Sequence, residues 1–488
     1  MATKIIGRTY VHLFRSIFWS LLIGAVFYIG CWFLYKKPQN NLPIPLTNQS
    51  LPSFIKPKEV LGLHCTSIFN DQNFNYSSYA SKRVIVSDPQ NEAELPMDCN
   101  SIRQRAYFQT DDLYPEEAEF PIAFARNVFM DYRLIEIDLA ALYTPHNFYC
   151  YALDAKSPPL FHKRMDALAS CFPNVFIAEK KFSMDSQGHN MSYSYNQCML
   201  TLTKPEYKWK YLNHDIPLKT NQEMIQIFKW FNGSNDVASW PAPKERINPN
   251  VTWTFDKMYL FKNGEFELYN YVNKTLESRN RLFHNGHEPK MQFAKSMVQV
   301  SLSRAMINFM LNEINFENIL KNFEWNAFAT DELVMASLNS ADSIDPPGGL
   351  NGIEYSYDLT SRWEMWLWDV KNCPTTARHL ICIFGLEHLR LMAQMPQLVG
   401  NKAMPGFDFG VISCWYEEYF RRTHLDRGLH RLTSNIYLNL PHVVAIFSKV
   451  NAFNFQVRFN RERNRLGDKF NVSQFVCESK NKEDDRWH

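Results

Sequence analysis

An uncharged stretch near the N-terminus constrains this chain more than any other feature. Residues 16–35, between Arg15 and Lys36, contain no charged side chain. A helix of this length, at about 1.5 Å per residue, crosses the roughly 30 Å of a bilayer's hydrocarbon core. The stretch therefore predicts a transmembrane anchor. A cleaved signal peptide is the alternative, but its cleavage site needs small residues where this chain has Trp32 to Tyr35.

The charges beside this stretch predict its orientation. Lys4, Arg8 and Arg15 precede it, and Lys36 and Lys37 follow it closely. Positive charge is enriched on the cytosolic side of membrane helices. Residues 1–15 are therefore expected to form a cytosolic tail, and everything after the anchor is expected to be lumenal, as in a type II membrane protein.

Sequons and cysteines independently favour a lumenal location. N-x-S/T tripeptides, the acceptors of N-glycosylation, all follow the predicted anchor, and they begin at Asn48, Asn75, Asn190, Asn232, Asn250, Asn273 and Asn471. Of the 10 cysteines, only Cys31 lies in the predicted anchor. In an oxidising lumen most of the others should pair, and their odd number leaves one over. Scattered buried thiols are the alternative.

Composition and apolar patterning predict the domain organisation. Residues 36–60 are proline-rich and predict a stem, whereas residues 61–420 read as a globular domain. Strand-like runs alternate there with helical stripes, which favours α/β layering around one mainly parallel sheet. No role is assigned to a C-terminal extension, residues 421–488. A net charge of +2 gives no support for a nucleic-acid partner.

Short strings spread through the globular region carry a family resemblance. In order they are EEAEFPIAFA (116–125), PHNFYCYALDAKS (145–157), ASCFPNVFIAEK (169–180), KWKYLNHDIPLKTNQE (208–223), VSLSR (300–304), TDEL (330–333), ICIFG (381–385) and the pair Asn401 and Lys402. Together they resemble the core-2/I-branching β-1,6-N-acetylglucosaminyltransferase family over roughly residues 60 to 420. The resemblance implies a GT-A-like fold, in which helices flank a Rossmann-type sheet and the nucleotide binds beyond the strands' carboxyl ends.

The resemblance also implies an activity. The family consists of type II Golgi enzymes that transfer a sugar with inversion, most often GlcNAc in β-1,6 linkage, from a UDP-sugar to an O-glycan core-1 or related galactose-containing acceptor. It works without metal, and this sequence contains no Asp-x-Asp motif. No cofactor is expected. UDP-glucose or UDP-xylose as donor, and a catalytically silent glycan-binding membrane protein, are the alternatives. The expected partners are the UDP-sugar, the glycoprotein acceptor, the membrane and, in a homodimer, a second copy of the chain.

The family's motifs place a general base and two UDP-binding cations on this sequence. Inverting transfer needs a base for the acceptor hydroxyl and positive charge for the departing UDP. Glu332 of the Asp-Glu pair matches the base; the alternative is that both acids merely favour a helix N-terminus. Lys402 matches the family's lysine, and Arg378 lies near its arginine with a spacing one residue longer. Isolated, either cation would be a solvated surface charge.

Further site residues follow from the resemblance. Asp154 is expected to face the nucleoside, although an aspartate at a strand end can equally cap a loop. Asp215 is expected to line the donor pocket. The cluster Lys244, Glu245 and Arg246 resembles the family's acceptor-binding segment, and a solvated charge cluster is the alternative.

The cysteine positions match the family's disulfide pattern. It implies the pairs Cys65 with Cys414, Cys99 with Cys171, Cys150 with Cys198, and Cys373 with Cys382. Cys477 is left unpaired.

Two segments depart from the family pattern. The chain is about three residues shorter than its relatives between Tyr211 and His214, which shortens a central strand or reflects a faulty sequence. The sugar-pocket segment, residues 186–198, offers Tyr193 and Tyr195 but not the tryptophan of vertebrate members. The choice of donor sugar therefore stays open at this point.

Overall fold

A computed structural model of the chain describes residues 52–71, 74–213, 216–262, 267–270, 275–278, 289–341, 344, 346–350, 360–369, 373–426 and 432–448. These residues belong to one compact unit. No helix in these ranges is long and apolar enough to span a bilayer. Several predictions lie outside the described residues, namely the anchor at residues 16–35, the site residue Asp215, the sequons Asn48, Asn273 and Asn471, and Cys477.

Strands of 2–7 residues form the sheets of this unit. They are β1 (Ile122–Val128), β2 (Phe148–Leu153), β3 (Val175–Ile177), β4 (Tyr211–Asn213), β5 (Ile216–Pro217), β6 (Trp240–Pro241), β7 (Glu267–Asn270), β8 (Thr275–Ser278), β9 (Ala294–Lys295), β10 (Leu302–Ser303), β11 (Arg362–Glu364), β12 (Ala377–Arg378), β13 (Ile381–Cys382) and β14 (Val399–Asn401).

Helices surround these strands. The α-helices are α1 (Cys65–Asn70), α2 (Tyr76–Ala80), α3 (Cys99–Arg105), α4 (Pro115–Glu119), α5 (Tyr132–Leu142), α6 (Pro159–Ser170), α7 (Met191–Leu202), α8 (Asn221–Phe231), α9 (Phe255–Met258), α10 (Arg304–Asn312), α11 (Phe316–Phe323), α12 (Asp331–Asn339), α13 (Leu389–Gln394), α14 (Phe409–Phe420), α15 (Ser434–Leu438) and α16 (Pro441–Ser448). Short 3-10 turns occur at Lys58–Val60, Glu92–Glu94, Lys244–Arg246 and Leu386–His388, and a π-turn at Arg421–Leu425.

The central sheet has five strands in the order β10-β4-β1-β2-β3. Strands β1 to β4 are parallel, and β10 is antiparallel to β4. Helix α5 connects β1 to β2, and α6 connects β2 to β3, as parallel pairing requires. The predicted mainly parallel α/β sheet is confirmed. The segment near Tyr211 that is shorter than in relatives still forms β4, which pairs with β1 over three residues.

Strand β1 separates two apolar cores. Ile122 and Phe124 belong to one core, together with residues of α5 and α14, whereas Ala123 and Ala125 belong to the other, with residues of α10 to α12. This division follows from the two-residue side-chain period of a strand. Both faces of the sheet are therefore covered, as in doubly wound α/β proteins.

A smaller sheet lies beside the central one and carries part of the site. Its order is β11-β14-β5, with β11 parallel and β5 antiparallel to β14. Gly400 of β14 pairs with Ile216, the first residue of β5. Lys402, which follows β14, therefore lies close to the beginning of β5.

Disulfides and the C-terminal helices tie distant segments together. The structure joins the four cysteine pairs that the resemblance implies, Cys65–Cys414, Cys99–Cys171, Cys150–Cys198 and Cys373–Cys382. Residues of the predicted extension also pack into the unit. The Tyr437 ring stacks on Trp230 with 5.7 Å between centroids, and the Val443 side chain is fully buried.

Candidate active site

The carboxylate of Glu332 lies at the beginning of α12, held between two cations. Its Oε2 is 2.6 Å from Nη1 of Arg246 and 2.9 Å from Nζ of Lys295. The Glu332 side chain keeps 21% of its exposure. Its backbone oxygen accepts a hydrogen bond from the Ser296 N–H at 2.9 Å. The carboxylate is thus fixed in orientation while still reached by solvent.

Both cations come from segments distant in sequence. Arg246 ends the turn Lys244–Arg246, its guanidinium lies 5.2 Å from the centroid of Phe328, and its carbonyl accepts from the Trp325 indole at 2.9 Å. Lys295 lies on β9 opposite Trp240 of β6, whose ring centroid is 5.9 Å from Nζ. Of the predicted acceptor residues, the structure thus brings Arg246 to Glu332.

The other two members of that cluster do not share this contact. Lys244 and Glu245 are exposed in the same turn. Lys295, by contrast, contacts the predicted base but carries no motif, and sequence reasoning missed it.

Asp331, the neighbour of Glu332, has a different environment. Its side chain is buried, and burial, together with the nearby charges of Glu332 and Glu324, raises its pKa to about 7. It packs against Gly188, where a Cβ would lie 2.2 Å from Asp331 Oδ1. The backbone at Gly188 has φ 96°, a conformation that glycine adopts without strain. Any larger residue at position 188 would therefore collide with the Asp331 carboxyl.

Further contacts attach the sugar-pocket segment, residues 186–198, to the region before α12. The Ala329 N–H donates to the Gln187 carbonyl at 2.6 Å, and the Asn190 N–H donates to Oε1 of Glu324 at 2.5 Å. Burial raises the pKa of Glu324, and the Asn190 hydrogen bond opposes this rise. Helix α7, which carries both predicted tyrosines, is thereby positioned relative to Glu332.

An open cavity lies at the carboxyl end of β1. Lys402, Asn401 and Asp131 contribute to its lining, and so does Tyr195. Tyr193 instead stacks on Phe182, with 5.5 Å between centroids. The carboxyl edge of the parallel strands is where nucleotides bind in open α/β sheets.

Of the two predicted UDP-binding cations, Lys402 lines this cavity and Arg378 lies beside it. Arg378 is exposed on β12, in a hairpin held by the Cys373–Cys382 disulfide. Burial and the charge of Asp88 raise the pKa of Asp131, whereas Arg378 opposes this shift. Arg378 therefore acts electrostatically on a residue that lines the cavity.

The pKa of His379 also reflects the positive charges of both predicted UDP-binding cations. Its pKa is lowered by burial and by the positive charges of Lys402 and Arg378. Both cations therefore act on one imidazole at the tip of the hairpin, which places them in the same positive region.

Asp154 has a structural role at the end of β2. Its side chain is buried, and Oδ1 accepts hydrogen bonds from the N–H groups of Lys156 at 2.9 Å and Met184 at 3.3 Å. The structure thus shows the loop-capping role, while the nucleoside contact stays a prediction.

The predicted sequons that the structure describes differ in their exposure. Asn75, Asn232 and Asn250 are exposed, whereas Asn190 is half-buried and donates from its side chain to the Ser183 carbonyl at 2.8 Å. Within the part of the chain that the structure describes, no three His, Cys, Asp or Glu side chains group together so that they could hold a metal ion.

Comparison with known proteins identifies the class to which this fold and site belong. Residues 122–393 match the family described as Core-2/I-Branching enzyme, a match that covers more than half of the chain. The chain therefore belongs to the Core-2/I-Branching enzyme family and is a glycosyltransferase.

Individual relatives agree with this assignment. The chain is similar to beta-1,3-galactosyl-O-glycosyl-glycoprotein beta-1,6-N-acetylglucosaminyltransferase 4 of Danio rerio, with 28% identity over 87% of this chain and 99% of the relative. It is 27% identical to N-acetyllactosaminide beta-1,6-N-acetylglucosaminyl-transferase of Homo sapiens, over 80% of this chain and 90% of the relative. Human beta-1,3-galactosyl-O-glycosyl-glycoprotein beta-1,6-N-acetylglucosaminyltransferase is 27% identical over 70% of this chain and 79% of the relative.

Proposed function

We propose that the chain transfers GlcNAc in β-1,6 linkage from UDP-GlcNAc to a core-1 or related galactose-containing O-glycan. The observation that carries this proposal is the Glu332 carboxylate, fixed by Arg246 and Lys295 and open to solvent. The printed names of the relatives support the donor sugar and the linkage. We place the enzyme in the Golgi lumen, anchored by residues 16–35.

Glu332 acts as the general base. It removes the proton of the acceptor's C6 hydroxyl while that oxygen attacks C1 of the donor sugar from the face opposite UDP. The bond between C1 and the phosphate oxygen breaks, its electron pair leaves with UDP, and the configuration at C1 is inverted. A base works only within hydrogen-bond reach of the hydroxyl. The ion pairs to Arg246 and Lys295 supply such positioning, because both hold Oε2, and the proton is accepted by the other oxygen of the carboxylate, Oε1.

Lys402 and Arg378 stabilise the departing UDP. Preorganised positive charge facing a site of developing negative charge lowers the barrier without reorganisation at the moment of reaction. Both residues belong to the same neighbourhood: Arg378 lies on β12, and the Lys402 carbonyl accepts a hydrogen bond at 2.8 Å from the Phe384 N–H, just after β13 of the same hairpin. The proposed reaction accordingly uses side chains of this chain in place of a divalent cation and needs no cofactor.

The donor pocket supports a hexose donor through Tyr195, which lines the cavity. An aromatic side chain offers an apolar face to a sugar ring and a hydroxyl to its polar edge. GlcNAc is the proposed sugar because the relatives are named N-acetylglucosaminyltransferases.

A donor panel tests the proposal. The full-length chain, solubilised in detergent, is assayed in EDTA with UDP-GlcNAc, UDP-glucose and UDP-xylose and a core-1 disaccharide acceptor. The expected product carries GlcNAc on the C6 oxygen, as shown by NMR of the purified glycan. Transfer from glucose or xylose alone would contradict the donor assignment, and a requirement for added Mn²⁺ would contradict metal independence. Glycan binding without transfer from any donor would instead indicate the catalytically silent alternative.

A further inference from the structure

Strand β1 carries a charged residue at a position that its pattern reserves for the core. Ile122 and Phe124 point into the core on the α5 side. Since strand side chains alternate between faces, Arg126 lies on the same face. Its neighbour across the ladder is Tyr151 of β2, which is also buried there. An apolar side chain is expected at position 126.

Helix α5 carries the matching acid. Ile135, Leu139 and Leu142 form its buried stripe, and Asp138 lies three residues after Ile135 on the same side. Arg126 Nη1 forms an ion pair with Asp138 Oδ2, and the hydroxyl of Tyr416 on α14 donates to Asp138 Oδ1. The two opposite charges thus face each other across the interface between sheet and helix.

Core packing alone does not explain this pair. Desolvating two charges costs as much as or more than their attraction returns, and apolar residues of similar volume are often as stable or more stable. Charged residues that break a local pattern are expected at functional sites.

The pair opens into the donor cavity. Arg126 and Asp138 both contribute to its lining, as does Lys402. The Arg126 side chain keeps 11% of its exposure and Asp138 keeps 3%. The cation is therefore the more accessible partner, and the carboxylate lies behind it.

We infer that Arg126 is a third cation for the diphosphate of the UDP-sugar, positioned by Asp138 and Tyr416. This inference rests on the proposed function and adds a residue to it. A guanidinium presents several N–H donors in a planar fork that suits phosphate oxygens. Lys402 and Arg126 contact the diphosphate from the lining of the cavity, whereas Arg378 contacts it from the hairpin beside the cavity. Without a metal, each such contact supports both donor binding and departure of UDP.

Paired substitutions test this role. In the full-length protein, Arg126→Met with Asp138→Leu replaces both charges by apolar groups of similar size, so that no buried charge is left alone. We expect the Kd for UDP, measured by isothermal titration calorimetry, to rise about 10-fold or more, in line with the loss of one charge-assisted contact. The Kd for uridine, which lacks the diphosphate, is expected to stay unchanged.

A second substitution acts in the opposite direction. Asp138→Asn removes the negative charge behind Arg126, but the Asn amide oxygen still accepts a hydrogen bond from the guanidinium and so keeps the arginine in place. UDP affinity is then expected to equal or exceed that of the unaltered protein, because the net charge of the cavity becomes more positive. Because Asn matches Asp in volume and keeps an acceptor for both Arg126 and the Tyr416 hydroxyl, this variant disturbs the packing less and keeps the test meaningful if the double variant fails to fold.

The matched control is the Arg133–Glu59 ion pair, whose Arg133 also lies on α5. Its Nη1 and Oε1 atoms are 2.9 Å apart. Arg133→Met with Glu59→Leu should leave the Kd for UDP unchanged. Unaltered UDP affinity in a folded Arg126→Met, Asp138→Leu variant, or weakened affinity in Asp138→Asn, overturns the inference. Failure of the unaltered protein to bind UDP would contradict the proposed function itself, and the inference with it.

Discussion

The acceptor side and the donor side proposed for this site both combine carboxylates with cations, but they arrange them in opposite ways. On the proposed acceptor side, the carboxylate of Glu332 is central and two cations, Arg246 and Lys295, surround it. On the proposed donor side, Arg378 is exposed beside the cavity that Lys402 lines. The acid Asp131 is more enclosed there. The first arrangement holds a carboxylate in a fixed position, as the proposed base requires, whereas the second gathers positive charge, as the proposed anionic leaving group requires.

The largest effect on the rate of transfer is expected from replacing Glu332, the central residue of the proposed acceptor side. Glu332→Gln keeps the shape of the side chain but removes its basicity, so transfer should fall by about 10²- to 10⁴-fold, the usual contribution of a general base. Steady-state kinetics with saturating donor and acceptor measure this loss in kcat. Glu94→Gln, on an exposed 3-10 turn, is the control and should behave normally. Near-normal kcat in Glu332→Gln would remove this residue from the mechanism.

The next largest effect is expected on stability, from Asp331, the buried carboxyl beside the proposed base. Because the pKa of Asp331 is raised to about 7 in the folded protein, its contribution to stability is complete below the unfolded value near 4 and is lost as pH rises towards 7. Asp331→Asn removes this dependence. It should increase the free energy of unfolding by about 2 to 4 kcal/mol at pH 7.5 relative to its effect at pH 4.

Guanidinium unfolding at the two pH values, with the disulfides intact, measures this difference. The Asp111→Asn variant, at an exposed position, is the comparison. An equal effect of Asp331→Asn at both pH values would show that the carboxyl does not titrate in this range.

On the proposed donor side, the test is the removal of one cation, Lys402. Lys402→Met should lower kcat/KM for the UDP-sugar by about 100-fold, since one stabilising group for the leaving anion is lost. The KM for the acceptor should change little. If instead the acceptor KM rises and the donor KM does not, Lys402 belongs to the acceptor side of the site.

The smallest effect is expected from a single cation of the acceptor side. Lys295→Met leaves Arg246 on the Glu332 carboxylate, so transfer should fall by only about 10-fold, the equivalent of one charge-assisted hydrogen bond. Lys262→Met, at an exposed position outside the site, provides the control in the same kinetic assay. A loss as large as that of Glu332→Gln would mean that Lys295 itself takes part in the chemistry.

Local patterns predicted the scaffold of both sides. Strand and helix patterns have periods of only a few residues, so they are visible in a short stretch of sequence. The apolar runs of β1 and β2, and the helical stripe between them, therefore predicted the parallel sheet. The disulfide pairs and the matches at Glu332 and Lys402 came from the resemblance, because spacing alone does not determine which cysteines meet.

Contacts between distant segments could not be predicted in this way. Lys295 and Arg246 reach Glu332 from 37 and 86 residues away, and neither lies in a periodic pattern that indicates the contact. Arg126 did leave a signal, a charge on the strand face that is otherwise apolar at Ile122 and Phe124. Its meaning depends on Asp138, which only the packing of α5 against β1 brings close.

One measurement tests the division between the two sides most directly, namely calorimetric titration of UDP into the Glu332→Gln and Lys402→Met variants, with transfer assayed on the same preparations. The account predicts that Glu332→Gln binds UDP with the affinity of the unaltered protein but transfers almost nothing, whereas Lys402→Met binds UDP about 10-fold or more weakly. Loss of UDP binding in Glu332→Gln together with normal binding in Lys402→Met would contradict it.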